Sequence, residues 1–349
     1  MPSFCRHGRF VERCPICSKS LPGNEPRGAS PRAKGKRAAR PGGSTGTVNR
    51  SRRARGESVR IHREGRAEED GYSSPLIPGV RASADALRLV EEIAFASGRL
   101  LTLAADPPGL YAEARALAAT DLERATWICF LTAYLSPLEG EDPFAGVRLA
   151  LASDGDRGAI DGDPGMPDGG GRASGEQLPD LTDAPLGPRT SHDHARGTGT
   201  LVAYRQWVGR SGGSQALAFS GDDAWTPQRR FERLHERLAL PGFWRMGRYD
   251  LLVTLGRLGL YEVSPGSLYL TGAPAGDLTT LGAKRVFGIG DPLLLERRAA
   301  ALAQAAQVPI EALDVALANW AAPSRATLGF SPDSGDADAL ERAGDALGL

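Results

Sequence analysis

The amino-acid sequence predicts an all-α protein: a helical bundle with a helix-hairpin-helix-like element, preceded by a small zinc knuckle and a disordered basic linker. Apolar residues recur with helical spacing in most of the hydrophobic segments. No segment shows the convincing alternation of apolar and polar residues that marks a half-buried strand. Two long stretches are too polar to build a core, so the 349 residues are expected to hold one main core.

Composition divides the chain into parts of distinct character. The expected order is a zinc knuckle (1–20), a disordered basic linker (21–75), helical half-domain 1 (76–151), a disordered acidic insertion rich in Gly and Pro (152–199), helical half-domain 2 with the hairpin (200–322) and a C-terminal tail (323–349). The two low-complexity stretches differ in the sign of their charge, although the formal net charge of the chain is zero. The distribution of charge, and not its sum, is therefore expected to decide the partner.

The N-terminus contains four residues that suit zinc. Cys5, His7, Cys14 and Cys17 have the spacing Cys-x-His-x6-Cys-x2-Cys. Three thiolates and one imidazole complete a tetrahedral shell and leave no position for water, so the predicted zinc ion is structural. The alternative is that these are unrelated residues of a disordered N-terminus. Zinc knuckles act as scaffolds for nucleic acids and for proteins, so a protein partner at the knuckle is also open.

The basic linker is the expected contact with nucleic acid. Residues 18–66 hold fourteen Lys and Arg against three Glu, and no Phe, Trp or Tyr. Such a segment releases counterions on contact with DNA, which gives affinity without sequence readout. The lack of stacking side chains favours duplex DNA over single strands. The alternative is a solubilising linker.

Hydropathy and cysteine usage predict the compartment. No apolar run approaches the roughly 18 to 20 residues that span a bilayer, and the first residues contain no apolar signal core. We therefore expect a cytoplasmic protein without membrane contact. Three of the four cysteines lie in the first 17 residues, which favours metal ligation in a reducing compartment, whereas Cys129 is expected to be a core thiol.

The helical core is predicted from two groups of segments. Helices are expected at Ala84 to Ala104, Asp121 to Leu138, Thr226 to Leu240, Tyr249 to Leu260, Asp277 to Phe287, Pro292 to Gln307 and Ile310 to Trp320. Short segments such as Ser267 to Leu270 are candidates for a minor β-hairpin. The acidic insertion then separates two halves of one helical core.

A Gly-x-Gly turn joins two of these helices. Gly288 and Gly290 lie between the helix that ends at Phe287 and the helix that begins at Pro292, with Asp291 as the expected N-cap. Such a corner can direct backbone N–H groups at a DNA phosphate, and Lys284 and Arg285 lie close in sequence. The alternative is a purely structural helical corner, in which the Asp291 carboxylate caps the helix and repels a phosphate.

The order of these motifs resembles the helix-hairpin-helix DNA glycosylase-like superfamily. More narrowly, the segments Gly247 to Leu252, Ala283 to Pro292 and Leu313 to Trp320 look like the alpha-glutamyl/putrescinyl thymine pyrophosphorylase clade, a group associated with hypermodified thymine in DNA. The resemblance covers residues 84–150 and 200–320. The hairpin departs from the superfamily's usual Pro-Gly-x-Gly, because Phe287 stands in the place of that proline.

The resemblance implies a flipped pyrimidine nucleotide bound between the two half-domains. Asp314 would be the catalytic carboxylate, and Lys284 a second catalytic residue, either as a nucleophilic amine or as a phosphate contact. The implied activity is that of a base-modifying transferase, a pyrophosphorylase or a glycosylase-like enzyme. The alternative is a non-catalytic, zinc-containing module that binds DNA or protein, in which Asp314 and Lys284 are ordinary surface residues.

Three further groups have structural alternatives. Arg229 and Arg233 lie on one helical face and are candidate DNA contacts, although a solvated face explains them as well. The adjacent aromatic pair Phe243–Trp244 is a candidate stacking wedge, with core packing as the preferred interpretation. The pair His192 and His194 could hold a metal but is expected to lie in a mobile loop of the insertion.

Overall fold

The computed structural model describes residues 67–153 and 178–349, and within these ranges it contains helices and no strand. The helices are α1 (Ser83–Ala105), α2 (Gly109–Leu117), α3 (Leu122–Leu135), α4 (Ala145–Ser153), α5 (Gly199–Arg210), α6 (Gln215–Ser220), α7 (Pro227–Arg237), α8 (Arg245–Arg257), α9 (Leu278–Phe287), α10 (Pro292–Ala305), α11 (Ala312–Ala321) and α12 (Ala337–Leu347). A 3₁₀ turn at His194–Arg196 precedes α5. The all-α prediction is confirmed for the described residues.

Helix starts follow the capping residues in the sequence. The side chains of Asp121, Thr226, Asp277 and Asp291 each accept a hydrogen bond from a backbone N–H in the first turn of the following helix. These bonds satisfy N–H groups that have no partner inside the helix. Each of the predicted helices is present, with ends that differ by a few residues.

The segment named the C-terminal tail (323–349) contains a helix. Residues of this segment form α12, which packs against α1. The amide of Asp336 donates to the carbonyl of Ala94 at 2.9 Å, and the hydroxyl of Ser97 donates to the Asp336 carboxylate at 2.8 Å. Gly98 permits this approach, because a Cβ there would overlap the backbone of Ser334.

The prediction of a minor β-hairpin is wrong, since Ser267 to Leu270 is a loop whose amides donate to Glu296.

The structure describes residues 178–198, the C-terminal part of the predicted acidic insertion. Residues 178–198 pack on the helices, with Leu181, Ala184 and Arg189 buried. Pro185 comes so close to α4 that only a glycine fits at Gly146. A few apolar side chains and one paired arginine therefore anchor a segment whose composition suggested disorder.

Helix α11 lies at the centre of the core. It is buried from Ala312 to Trp320 and packs against α9 and α1. The contact with α9 is close, because a Cβ at Gly282 would overlap the carbonyl oxygen of Leu317. The polar residues of α11 are thus placed in the interior of the protein.

Cys129 on α3 is a buried free thiol, as predicted.

Several predictions concern residues outside the described ranges. The proposed zinc ligands Cys5, His7, Cys14 and Cys17 and the basic linker up to residue 66 belong to this group. In the described part of the chain, no helix is long and apolar enough to cross a membrane.

Candidate active site: a buried arginine–carboxylate network

The carboxylate of Asp314 lies in the protein interior between two arginines. Asp314 is fully buried in the first turn of α11. Its Oδ2 accepts a hydrogen bond from Arg189 Nη2 at 2.6 Å, and its Oδ1 accepts one from Arg245 Nη2 at 2.8 Å. The backbone carbonyl of Asp314 accepts from the hydroxyl of Thr279 at 3.1 Å. Both carboxylate oxygens are therefore occupied.

Arg189 connects Asp314 to helix α8. Its Nε donates to Asp250 Oδ2 at 3.0 Å, and its Nη2 donates to Asp250 Oδ1 at 3.2 Å, in addition to the bond with Asp314. This side-on pairing uses the planar fork of a guanidinium. The Nη1 atom of Arg189 has no hydrogen-bond partner among the described residues.

Arg245 connects Asp314 to the start of α9. Its Nε donates to Asp277 Oδ2 at 2.7 Å, and its Nη1 donates to the carbonyl of Leu268 at 2.9 Å. The other oxygen of Asp277 caps α9 through the amide of Thr280 at 2.8 Å. One carboxylate thus fixes both a helix start and a guanidinium. We call Arg189, Arg245, Asp250, Asp277 and Asp314 the arginine–carboxylate network.

The charges in this network stabilise one another. Burial alone would raise the pKa of Asp314, but Arg245 and Arg189 lower it below the ordinary value of an aspartate. Burial would likewise lower the pKa of each arginine, and the neighbouring carboxylates raise it. Asp314, Arg189 and Arg245 are therefore charged near neutral pH. An unpaired charge at this depth would be strongly unfavourable.

A small cavity adjoins the network at Asp250. It is also lined by Arg99, Tyr111, Ser136 and Leu328, and it has room for about one water molecule. Ser136 and Leu328 have positive φ angles, 61° and 57°. Such backbone conformations are unfavourable for residues other than glycine and concentrate at functional sites.

A second polar group lies on the same segment as Arg189. The hydroxyl of Tyr134 on α3 lies 2.8 Å from Nδ1 of His192, which is buried. The amides of Ser191 and His192 both donate to the carbonyl of Tyr134, at 2.9 and 3.2 Å. These contacts hold His192 against α3. The prediction that His192 lies in a mobile loop is therefore wrong.

The aromatic pair at the start of α8 is divided between core and surface. Phe243 is buried, whereas Trp244 is 40% exposed. The guanidinium of Arg196 lies over the Trp244 ring at 4.9 Å. The core interpretation therefore holds for Phe243 alone.

The predicted DNA-contact residues of the hairpin lie on the surface. Gly288 ends α9 in the left-handed conformation, with φ +64°, and Gly290 has open space around it. Lys284 is exposed in the last turn of α9, and Arg285 is half-buried. The Asp291 side chain accepts from the amide of Leu294 at 3.1 Å and so occupies part of the N-terminus of α10.

The two arginines of α7 that were predicted to contact DNA form ion pairs with glutamates of the same helix. Arg229 pairs with Glu232, and Arg233 Nη1 lies 3.0 Å from Glu236 on the same exposed face of α7. The two predicted catalytic residues do not share an environment, since Asp314 is buried and Lys284 faces solvent. Within residues 67–153 and 178–349 no group of three His, Cys, Asp or Glu residues could hold a metal ion.

The sequence did not indicate that four residues form a network with Asp314. They are Arg189, Arg245, Asp250 and Asp277. Asp250 lies inside the segment Gly247 to Leu252 that carried part of the family resemblance. An isolated charge in an apolar helix is a signal that only Asp314 gives, because the helix of Asp250 also contains Arg245 and Arg248. Arg189 gave no such signal, because its neighbours in sequence are polar and rich in Pro and Gly.

One known protein family matches the part of the chain that contains the network. Residues 189–328 match the family described as alpha-glutamyl/putrescinyl thymine pyrophosphorylase clade 3. This match confirms the resemblance to the alpha-glutamyl/putrescinyl thymine pyrophosphorylase family for residues 189–328. The matched segment begins at Arg189 and contains every member of the arginine–carboxylate network. No curated protein and no solved structure matched the chain.

Proposed function

We propose that this protein is a DNA-associated enzyme that acts on a modified thymine base, with its active centre in residues 189–328. The observation that carries the proposal is the buried arginine–carboxylate network, which lies entirely inside the family-matched segment. Buried, mutually perturbed ionisable groups are concentrated at functional sites. The matched family's name refers to glutamyl and putrescinyl thymine, which indicates the class of base.

In this proposal Asp314 acts by positioning and does not touch the substrate. Both of its oxygens bind arginines, and the side chain is 1% exposed. It fixes Arg189 and Arg245 relative to each other, and through them the segment after Arg189 and the start of α8. Rigid support of this kind keeps reactive groups in the geometry that a reaction requires.

The proposed DNA contact is the exposed corner between α9 and α10. The ammonium of Lys284 contacts a phosphate, and the open backbone at Gly290 allows the DNA backbone to come close. The target base leaves the duplex, because the 5-substituent of a stacked base is poorly accessible to an enclosed active centre. Arg229 and Arg233 contribute little here, since glutamates neutralise them.

Activity can be tested on duplex DNA that carries 5-hydroxymethyluracil. The full chain is incubated with the duplex, the DNA is digested, and the nucleosides are identified by mass spectrometry. The proposal predicts loss of the modified nucleoside by hydrolysis of its glycosidic bond, in which water supplies the hydroxyl group to the sugar, and no change of thymidine. With Asp314→Asn it predicts at least a tenfold slower reaction with nearly unchanged DNA affinity.

One observation favours a second candidate, a non-catalytic DNA- or protein-binding module. Asp314 is enclosed and has no oxygen available for a substrate, as in a purely structural ion pair. In that case the nucleosides remain unchanged for the wild type. Asp314→Asn then affects the free energy of unfolding alone.

We also propose that Cys5, His7, Cys14 and Cys17 bind one structural zinc ion. The proposal rests on their number and spacing. Elemental analysis of the full chain should give one zinc per chain. The variant Cys14→Ser should lose it, whereas Cys129→Ser, which changes a buried thiol of the core, should retain it.

A further inference from the structure

Arg99 is a buried arginine whose Nε atom has no hydrogen-bond partner in the described part of the chain. The residue lies on α1 and is 2% exposed. None of the ion pairs in the same part of the chain involves it, and its guanidinium carbon lies 5.5 Å from the centroid of the Phe330 ring. A buried guanidinium N–H without a partner is strongly unfavourable, so the surroundings of Arg99 should supply an acceptor.

The small cavity beside Asp250 adjoins Arg99. Its lining includes Arg99 of α1, Tyr111 of α2, Ala133 of α3 and Asp250 of α8, so four helices meet there. The cavity has room for about one water molecule. The arginine whose Nε has no partner thus lines a space that a single small ligand can fill.

The backbone around the cavity is held in an unfavourable conformation at two points. Ser136 has a φ angle of 61° and Leu328 one of 57°. The hydroxyl of Tyr111 donates to the carbonyl of Leu328 at 3.2 Å, and the amide of Arg189 donates to Ser136 Oγ at 3.3 Å. Contacts of this kind keep a strained backbone from relaxing. The fold therefore maintains the cavity at a cost in backbone conformation.

The two charged side chains that line the cavity require different hydrogen-bond partners. Arg99 can only donate, whereas an ionised Asp250 can only accept. Both carboxylate oxygens of Asp250 bind Arg189, at 3.0 and 3.2 Å, and each oxygen can accept a further bond. A chloride ion would accept from Arg99 but could not donate to Asp250, which would repel it. A water molecule both accepts and donates, so it matches the two side chains together.

We propose that one ordered water molecule fills this cavity, accepts a hydrogen bond from Arg99 Nε and donates one to the carboxylate of Asp250. The hydroxyl of Thr132 also lines the cavity and can accept the second proton of the water. Arg99 is then a third guanidinium beside the three carboxyl groups and two guanidiniums of the arginine–carboxylate network. A buried water with such partners is a structural component and is costly to remove.

The test replaces the water by a side-chain atom at Ala133. Ala133→Ser and Ala133→Cys add one heavy atom at the same position, but only the hydroxyl can take over the bonds of a water, because a thiol is a weak donor and acceptor. Unfolding of the full chain in urea is followed by circular dichroism under reducing conditions. We expect the unfolding equilibrium constant of Ala133→Cys to be about tenfold larger than that of Ala133→Ser, since an unreplaced hydrogen bond to a charged group has about this effect.

A dry cavity predicts the opposite order, because a thiol fills apolar space better than a hydroxyl does. Equal or reversed stabilities of the two variants would therefore overturn the water site. The same pair in an Arg99→Met background identifies the partner of the water. Without the guanidinium the cysteine variant should become the more stable, and an unchanged order would show that Arg99 does not bind the water.

A crystal structure of the wild type provides a measurement that does not depend on the folding of any variant. At a resolution that shows ordered water, one density peak should lie within hydrogen-bond distance of Arg99 Nε and of the Asp250 carboxylate. The absence of a peak would overturn the proposal, and so would an anomalous signal at this position in crystals grown with bromide, which would identify an anion. The water site is independent of the proposed function, since none of these measurements involves DNA.

Discussion

Two sets of arginines in this protein differ in nearly every physical respect. Arg189 and Arg245 are 1% exposed and bind carboxylates that are distant in sequence. Arg229 and Arg233 lie on the surface of α7 and bind glutamates three residues further along the same helix. Water screens the second set and not the first, so similar ion pairs contribute very differently to stability. Function is therefore expected where charges are buried and tertiary contacts hold them.

The largest expected effect is that of removing the shared carboxylate. Asp314→Ala leaves two buried guanidiniums partly unpaired, and we expect it to lower the free energy of unfolding by about 3–5 kcal/mol. Urea denaturation followed by circular dichroism measures this change. A loss below about 1 kcal/mol would show that the network does not hold the core together.

The second effect concerns pH and the neighbour of the network, His235. Burial, Arg248 and Arg245 lower the pKa of His235 to about 3. Because the folded-state pKa lies below the unfolded value of about 6.5, stability is fully present above pH 6.5 and is lost as pH falls toward 3. The slope is about 1.4 kcal/mol per pH unit, or about 2 kcal/mol between pH 6.5 and 5.

The variant His235→Gln should reduce this slope and leave the contribution of His192, whose pKa is also lowered by burial. The matched control is His194→Gln, which changes an exposed histidine and should leave the slope in place. Unfolding free energies between pH 5 and 7 provide the comparison. Equal slopes in the wild type and in His235→Gln would contradict the proposed origin in His235.

A smaller effect is expected at the hairpin corner. Gly288 has φ +64°, and a Cβ there would lie 3.3 Å from the Cα of Gly79. Gly288→Ala should therefore destabilise the protein by about 1 kcal/mol. Gly290→Ala, in open space, is the matched control. Equal stability of the two variants would show that the corner is not constrained as described.

The smallest effect is expected for the surface set. Arg233→Ala should change the free energy of unfolding by less than about 0.5 kcal/mol, because its ion pair with Glu236 is exposed. It should also leave DNA binding nearly unchanged. Lys284→Ala should instead lower the slope of log affinity against log salt by about 0.9, the value for one phosphate contact. Equal slopes in the two variants would remove the hairpin from the DNA interface.

These contrasts explain how much the sequence predicted. Capping residues such as Asp277 and apolar periodicity act locally, so most helices and their starts could be read from the chain. Helices α2, α4, α5, α6 and α12 were not predicted, and the buried residues of α12 are only Ala339, Ala343 and Leu347. The partners of Asp314 lie 125 and 69 residues away, and no local pattern identifies them. Arg189 was hidden in a segment of disordered composition, which is held to the helices by the buried Leu181 and Ala184 and by the two ion pairs of Arg189.

The most direct test is the affinity of the full chain for a 5-hydroxymethyluracil duplex and a thymine duplex, measured at several salt concentrations. Rising salt weakens the proposed phosphate contacts of the basic linker and of Lys284, and it should do so equally in both complexes. Action on a modified base predicts tighter binding of the 5-hydroxymethyluracil duplex at every salt concentration, with parallel slopes. Equal affinities throughout would mean that the phosphate backbone alone is recognised, which would contradict a base-acting site in residues 189–328.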